Sequence, residues 1–392
     1  MDECMPVVNT GLRGIEVATT RICKVDGEAG KLVYRGYTIE DLAENASFEE
    51  TAFLLLHERL PLKDEIASFS ENLNMKRNIP DSLVRFLKAL PKDTEPMTVL
   101  QAACPILALD DPDCNKSGIE PALKSAETLI SGLPVIMAYF ERLRNGKKII
   151  EPDSSLGHAE NFLYMMTGRV PDRQTAECLD TCLVLHAEHS FNASTFTARQ
   201  VASTRATIYA AVSAAIGSLS GPLHGGANVR VMEMLKEIST PDRIDEYIQK
   251  RLEAGERIMG LGHAVYRTLD PRAKIIAPMS RQMGEISGDT QWYELSETLA
   301  EKAQKAFKEK KGKDIYPNVD FYSASLLNAM NIPSDLFTPI FSISRVAGWT
   351  AHVIEEQFAT AAEKPTLYRP TASYIGDYCG PDECSFIDID SR

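Results

Sequence analysis

Alternation of apolar and polar residues with period two is confined to two short stretches, 22–25 and 32–34, and helical signals take over almost everywhere else. A chain with so little strand-forming pattern has to build its core from packed helices. Asp26-Gly27 and Gly30 lie between the two stretches, which read as one short N-terminal β-hairpin on an otherwise all-α protein. At 392 residues the chain exceeds the size at which one hydrophobic core stops growing, so two domains are expected. No internal repeat, low-complexity tract or linker separates them, and Pro and Gly fall singly at element ends. The second domain should therefore arise from an insertion.

Local signals place several helices. Ser47, with Glu50 three residues later, forms a capping-box signature before the apolar run 52–56, and Pro61 follows. Ile244, Tyr247, Ile248 and Leu252 mark one amphipathic face. Leu295, Leu299, Ala303 and Phe307 recur every fourth residue, and Lys310, Lys311 and Gly312 supply the charges and the glycine of a helix end. That pattern predicts a long, half-exposed helix. Ala202, Ala206, Ala210, Ala214 and Gly217 stand at near-helical spacing in a stretch almost free of charge, so 202–217 reads as one central packed helix.

Composition narrows the function classes. Apolar residues make up 44% and charged residues 25%, as in ordinary globular proteins. The formal charge of −13 excludes nonspecific attraction to nucleic acid or an anionic membrane, so anionic substrates must meet locally placed arginines. The longest charge-free run, between Arg205 and Arg230, is diluted by Pro222, His224 and Asn228 and reads as buried interior, not a membrane span. Eight cysteines, at 4, 23, 104, 114, 178, 182, 379 and 384, include no CxxC pair. That argues against a disulfide framework or zinc knuckle and for free thiols in a reducing compartment. The start, Met1-Asp2-Glu3-Cys4-Met5-Pro6, lacks the features of a secretory signal or transit peptide, and a cytoplasmic location is expected.

Four clusters carry chemistry. In His186-Ala187-Glu188-His189 two histidines three apart could ligate a metal, yet no third ligand follows at a telling spacing; core or substrate-contact histidines are the other reading. In Gly221-Pro222-Leu223-His224-Gly225-Gly226 a turn opens onto the helical pattern 229–238, and the positive end of that helix would keep His224 neutral and able to donate to a carbonyl oxygen. A purely structural turn histidine is the alternative. Met259-Gly260-Leu261-Gly262-His263-Ala264-Val265-Tyr266-Arg267, continuing to Asp270-Pro271-Arg272, has a Gly-x-Gly but neither the preceding strand nor the third glycine of a dinucleotide fingerprint. GxxxxGK[ST] and GxSxG motifs are absent as well. What remains is a turn able to lie against a flat ligand, a histidine, and arginines suited to phosphate or carboxylate. In Tyr316-Pro317-Asn318-Val319-Asp320-Phe321 a lone acid at a helix mouth is either an N-cap or a desolvated general base. Arg345, inside an apolar helical run, needs an anionic partner.

Together these segments resemble the citrate synthase family. The resemblance starts at Gly11-Leu12-Arg13-Gly14 and Tyr34-Arg35-Gly36-Tyr37, runs through HAEHSFNAST, GPLHGGAN, GLGHAVYRTLDPR, PNVDFYSAS and ISRVAGWTAH in that order, and ends at Arg369-Pro370. It implies an all-α citrate synthase fold with a large domain from residues 1–224 and 329–392 and a smaller domain at 225–328 that closes over the substrates. By motif match, His224, His263 and Asp320 take the catalytic positions. His189, Arg272 and Arg345 would bind oxaloacetate, and Arg369 would reach across a homodimer to complete the partner's site. Ile258, Met259, Gly260, Leu261 and Gly262 match the adenine-contacting stretch for CoA, with Arg267 as a phosphate contact and Lys313 as a second candidate.

The implied reaction joins acetyl-CoA to oxaloacetate and hydrolyses citryl-CoA, with no metal or other cofactor. A 2-methylcitrate synthase using propionyl-CoA shares every motif, and one methylene in an apolar pocket is worth only about 1–3 kcal/mol. A metal-dependent helical hydrolase using His186 and His189, and a catalytically silent scaffold of the same fold, are the readings from other classes. Three features depart from the family pattern. The chain starts close to the shared core, so NADH control through an N-terminal extension is not expected. Ala264 stands where many short relatives carry a basic or other residue, and the tail beyond Gly376 matches no motif.

Overall fold

The hairpin forms where alternation predicts it. In the computed structural model, which describes residues 9–12, 14–375 and 388–391, β1 (Cys23–Asp26) pairs antiparallel with β2 (Lys31–Tyr34), Cys23 opposite Tyr34. A third strand, β3 (Tyr37–Thr38), extends the sheet in the order β1-β2-β3. It is too short to show as alternation. Arg35 and Gly36, with φ of 48° and 94°, make the two-residue turn that right-handed strand twist favours.

Sixteen α-helices follow among the described residues. Ser47 and Glu50 form the capping box of the helix Phe48–His57, and the run 52–56 is buried. The amphipathic patterns become helices Ile244–Glu253 and Gln291–Lys311, the latter ending at Gly312 with φ 61°. The continuous helix expected over 202–217 is a correction. One helix, Ala193–Ser203, ends there, and a second, Ile208–Ser220, begins after a turn. Arg205 adopts φ 67°, the Thr204 hydroxyl donates to Val201 O at 2.7 Å, and Thr207 caps the new helix by accepting from Ala210 N. Side-chain bonds to backbone outcompeted alanine spacing. The two helices then pack closely on each other, as small residues allow.

Helix Phe337–Phe358 runs through the main core, packed on Phe48–His57, Ile119–Arg144, Arg173–His186, Ala193–Ser203 and Ile208–Ser220. It is buried nearly all round, with Trp349 and Val353 fully so, and it carries Arg345 inside that core. A second group of helices lies between residues 227 and 329. There Val319–Ala329 packs on Ala227–Ile238, Pro271–Ser287 and Gln291–Lys311, and Ile244–Glu253 joins through the last of these. No helix among the described residues is long and apolar enough to cross a membrane. Cys23, Cys104, Cys178 and Cys182 are buried free thiols and Cys114 is partly so; Cys4, Cys379, Cys384, Arg13 and the tail from Gly376 to residue 387 lie outside the described residues.

One glycine sets how closely the central helix approaches the histidine-bearing segment. A methyl group at Gly348 would lie 2.2 Å from Glu188 Oε2 and 2.4 Å from Ala187 O. Both atoms are fixed by packing, so the helix would have to retreat. Gly348→Ala should lower unfolding stability by about 3 kcal/mol, read as a reduced denaturant midpoint at unchanged slope.

Candidate active site

A cleft of about 570 Å³ collects residues distant in sequence: His189, His224, His263, Arg272, Asp320 and Arg345 all line it, with Val25, Val265 and Phe341 among its apolar walls. His189 and Arg345 belong to the main helical core. Arg272 and Asp320 come from the first turns of Pro271–Ser287 and Val319–Ala329, and His263 from the loop just before.

Backbone amides determine the state of two imidazoles in the cleft, those of His224 and His263. Ser194 N–H donates to His224 Nε2 at 3.1 Å, and Ser194 Oγ lies 2.8 Å from the same atom. An amide cannot accept, so His224 Nε2 carries a lone pair and the ring proton sits on Nδ1. Ser194 is itself tied to Asn192 Oδ1 at 2.8 Å and receives Trp349 Nε1–H at 3.2 Å. In His263 the roles reverse: Nδ1 accepts from Val265 N–H at 3.0 Å and Tyr266 N–H at 3.2 Å, which leaves the proton on Nε2. Burial pulls both rings down to about 4, with Arg345 assisting at His224 and Arg272 at His263. The sequence reading credited a helix dipole for His224. Burial is the larger cause, and Gly226, not the histidine, occupies the N-cap.

Asp320 is not the helix cap that its position allowed. Asn318 caps Val319–Ala329, its Oδ1 accepting from Asp320 N at 3.0 Å. The Asp320 carboxylate makes no hydrogen bond among the described residues and faces the cleft. Desolvation pushes its pKa up to about 6, against the opposing charge of Arg272. Such a group is ionised near neutrality yet retains appetite for a proton.

The two buried arginines differ. Arg272 is clamped by Asp270 through Nε to Oδ1 at 3.0 Å and Nη2 to Oδ2 at 2.9 Å. Arg345 has no bonded carboxylate among the described residues: its Nε donates to His186 O at 2.6 Å and its guanidinium lies 4.4 Å from the Phe341 ring centre. Burial lowers its pKa to about 10. A buried cation so placed calls for an anion from outside the chain. His189 Nε2 meets the Tyr266 hydroxyl at 3.2 Å and its ring lies 5.3 Å from that of His263. His186 instead bonds Cys182 O within its own helix at 2.7 Å, so the two histidines considered as metal ligands serve different environments, and His186 is a core residue.

The remaining candidates lie outside this cleft. Ile258 is buried, and the turn 258–262 is pinned by Gly262 N–H to Tyr316 O at 2.8 Å and Asn318 N–H to Gly260 O at 2.9 Å. Gly260 and Gly262 have φ of 74° and 84°, and a methyl at Gly260 would meet Val231 Cγ2 at 2.7 Å. Arg267 is exposed. Lys313 is exposed beyond the end of Gln291–Lys311. Arg369 lines a second cavity, of about 530 Å³, beside Arg199, Glu355, Glu356 and Tyr368. Sequence reading missed Ser194, Asp270 and Tyr266 as supports of the site. Only Asp270 left a signal, as an N-cap before proline.

Residues 11–371 match the family model described as citrate synthase, C-terminal domain. The chain belongs to the citrate synthase family. It is 43% identical over 387 residues to a citrate synthase of Haloferax volcanii, covering 97% of this chain and 98% of that one. A 2-methylcitrate synthase of Mycobacterium tuberculosis is 39% identical over 371 residues, covering 95% of this chain and 91% of its own. The fold matches a ternary complex of Thermoplasma acidophilum citrate synthase with carboxymethyl coenzyme A and oxaloacetate at a TM-score of 0.89 and 30% identity, over 98% of this chain and 100% of that one. The all-α citrate synthase architecture expected from the motifs is therefore the observed one.

The raised pKa of Asp320 has a stability consequence with a definite sign. Folding favours its protonated form, so the ionised carboxylate costs the folded state roughly 3 kcal/mol above its folded pKa. That cost disappears below the ordinary aspartate value of 3.8. Asp320→Asn should melt higher than the parent at pH 8, and the gain should vanish by pH 3.5 in scanning fluorimetry.

Proposed function

We propose that Asp320, His224 and His263 carry the condensation of acetyl-CoA with oxaloacetate, the reaction of this enzyme family. The observation that bears most weight is the convergence of one elevated carboxylate and two neutral imidazoles of opposite tautomer on a single cleft. Asp320 removes a proton from the thioester methyl group, while His224 Nδ1–H donates to the thioester oxygen as it becomes an enol or enolate oxygen. The new carbon nucleophile attacks the ketone of oxaloacetate. The ketone oxygen gains charge there and takes the Nε2 proton of His263, which the proton held by Asp320 replaces before the next turnover. Water then cleaves the citryl thioester to release citrate and CoA.

Arg345 and Arg272 fit the carboxylates of oxaloacetate, and His189 adds a polar contact between them. Arg345 supports this role most directly, since the chain supplies it no carboxylate of its own. We further propose that 225–328 closes as a unit on a large domain built from 1–224 and 329–392. The packing of the 227–329 helices on one another supports that division, and closure would keep water from the enolate. The exposed Arg369 fits a role in the partner's site of a homodimer. The 258–262 turn and Arg267 fit a CoA contact beside the cleft, reached as the domains close. A reducing, cytoplasmic setting agrees with the free thiols.

Propionyl-CoA as the acyl donor is the second reading, favoured by the likeness to the Mycobacterium tuberculosis 2-methylcitrate synthase. Thiol release on mixing oxaloacetate with each acyl-CoA separates the two, and a higher kcat/KM for propionyl-CoA would reverse the preference. In the same assay Asp320→Asn and His224→Ala should each lower kcat by about 10²–10⁴. An unimpaired rate in either variant rejects its assignment. Because the base must be ionised and both imidazoles stay neutral down to about 4, kcat/KM should fall as pH drops through about 6. An acid limb lying near 4 instead would take Asp320 out of the base role.

A further inference from the structure

The turn of the N-terminal hairpin reaches the loop that carries His263. A methyl group at Gly27 would lie 2.3 Å from the Val265 carbonyl oxygen and 3.2 Å from Val265 Cγ1. Gly27 holds the same loop through its own carbonyl, which accepts Arg267 N–H at 2.9 Å. Three residues later, a methyl at Gly30 would meet Thr268 Cγ2 at 2.7 Å and Leu269 O at 3.2 Å. The hairpin turn thus abuts the loop along 265–269, and Val25 at its base lines the cleft.

Gly27 is not required for conformational freedom, because its φ lies outside the left-handed region. Its requirement is spatial. The Val265 carbonyl belongs to the same planar peptide unit as Tyr266 N–H, and that N–H donates to His263 Nδ1. Oxygen and hydrogen sit on opposite sides of a trans peptide, so one edge of this plane faces the hairpin and the other faces the imidazole. The preceding peptide supplies Val265 N–H to the same nitrogen. Pressure on the Val265 oxygen would rotate the plane and swing a donor away from the ring.

We infer that Gly27 is a positioning residue for His263: lacking a side chain, it lets the hairpin seat the Val265–Tyr266 peptide with its N–H aimed at Nδ1. The kinetic consequence rests on the role proposed above for His263; the structural consequence does not. With that donor displaced, Val265 N–H still keeps Nδ1 proton-free, but the ring loses the second amide that fixes its orientation, and its Nε2–H is no longer held toward the substrate oxygen. Misplacement of a reacting group by about 1 Å is enough to slow turnover by up to about 10²-fold.

The test is Gly27→Ala in the full chain, with Glu28→Ala as the control, because Glu28 is an exposed neighbour in the same turn. Nitrogen-15 NMR of the uniformly labelled protein reads each ring nitrogen and any coupling carried to it across an N–H···N hydrogen bond. The parent should show His263 with a proton-free Nδ1, a protonated Nε2 and a coupling from Tyr266 N to Nδ1. Gly27→Ala should lose that coupling and lower kcat at least tenfold, whereas Glu28→Ala should keep the parent's coupling and rate. A retained Tyr266–His263 coupling in Gly27→Ala, or a kcat within twofold of the parent, overturns the inference. Should Gly27→Ala fail to fold, the unsubstituted chain decides: absence of the Tyr266–His263 coupling there overturns the inference. Since the ring pattern is read without turnover, failure of the proposed reaction would show separately, as absent thiol release in the unsubstituted chain.

Discussion

The site depends on backbone amides that point at imidazole nitrogens. A histidine in a wet pocket titrates near neutrality and exchanges tautomers freely, which would leave a catalyst with an undefined donor. Here Ser194 N–H occupies Nε2 of His224, and two consecutive amides occupy Nδ1 of His263. Protonating either ring would set N–H against N–H in a desolvated space. Both rings therefore stay neutral, and each keeps one donor whose location in the ring is dictated by the chain. In the reaction proposed above, the two donors serve two oxygens at different stages, the thioester oxygen and the ketone oxygen.

The charges around these rings are arranged with similar economy. Asp270 takes two nitrogens of Arg272, which fixes that guanidinium at the start of its helix. Arg345 is left with a backbone carbonyl and an aromatic face. Behind it, Glu188 accepts from His352 Nε2 at 2.9 Å, and His352 Nδ1 in turn accepts from Arg199, which also binds Glu355 and Glu356. Glu188 thus lowers the cost of burying Arg345 without occupying it. In the role proposed for them, a dicarboxylate would meet one arginine pre-oriented and another with no carboxylate bonded to it among the described residues. The carboxylate of Asp320 stands among the same cations yet is elevated, because desolvation outweighs their pull.

Much of this was legible in the residues. Caps and apolar periodicity located helices such as Phe48–His57 and Gln291–Lys311, and the ordered motifs carried the family and the six residues that meet in the cleft. One failure was local. Alanine spacing at 202–217 looked continuous, but Thr204 and Thr207 bond the backbone and break it. At Asp320 the residues left cap and base both open, and Asn318 two residues earlier takes the cap. In both places short polar side chains competed for the same backbone groups, and composition alone does not say which one wins.

What the sequence determined by itself is the helical class, the hairpin and the identity of the polar side chains that line the cleft, because those follow from periodicity and from motif order along one chain. Tertiary structure alone decided which nitrogen of each imidazole bears the proton, which arginine keeps a free charge and why Gly27 and Gly348 carry no side chain. Those outcomes depend on amides, carbonyls and carboxylates brought within about 3 Å from segments tens to hundreds of residues apart. No local pattern encodes such a distance; the packing of the helices does.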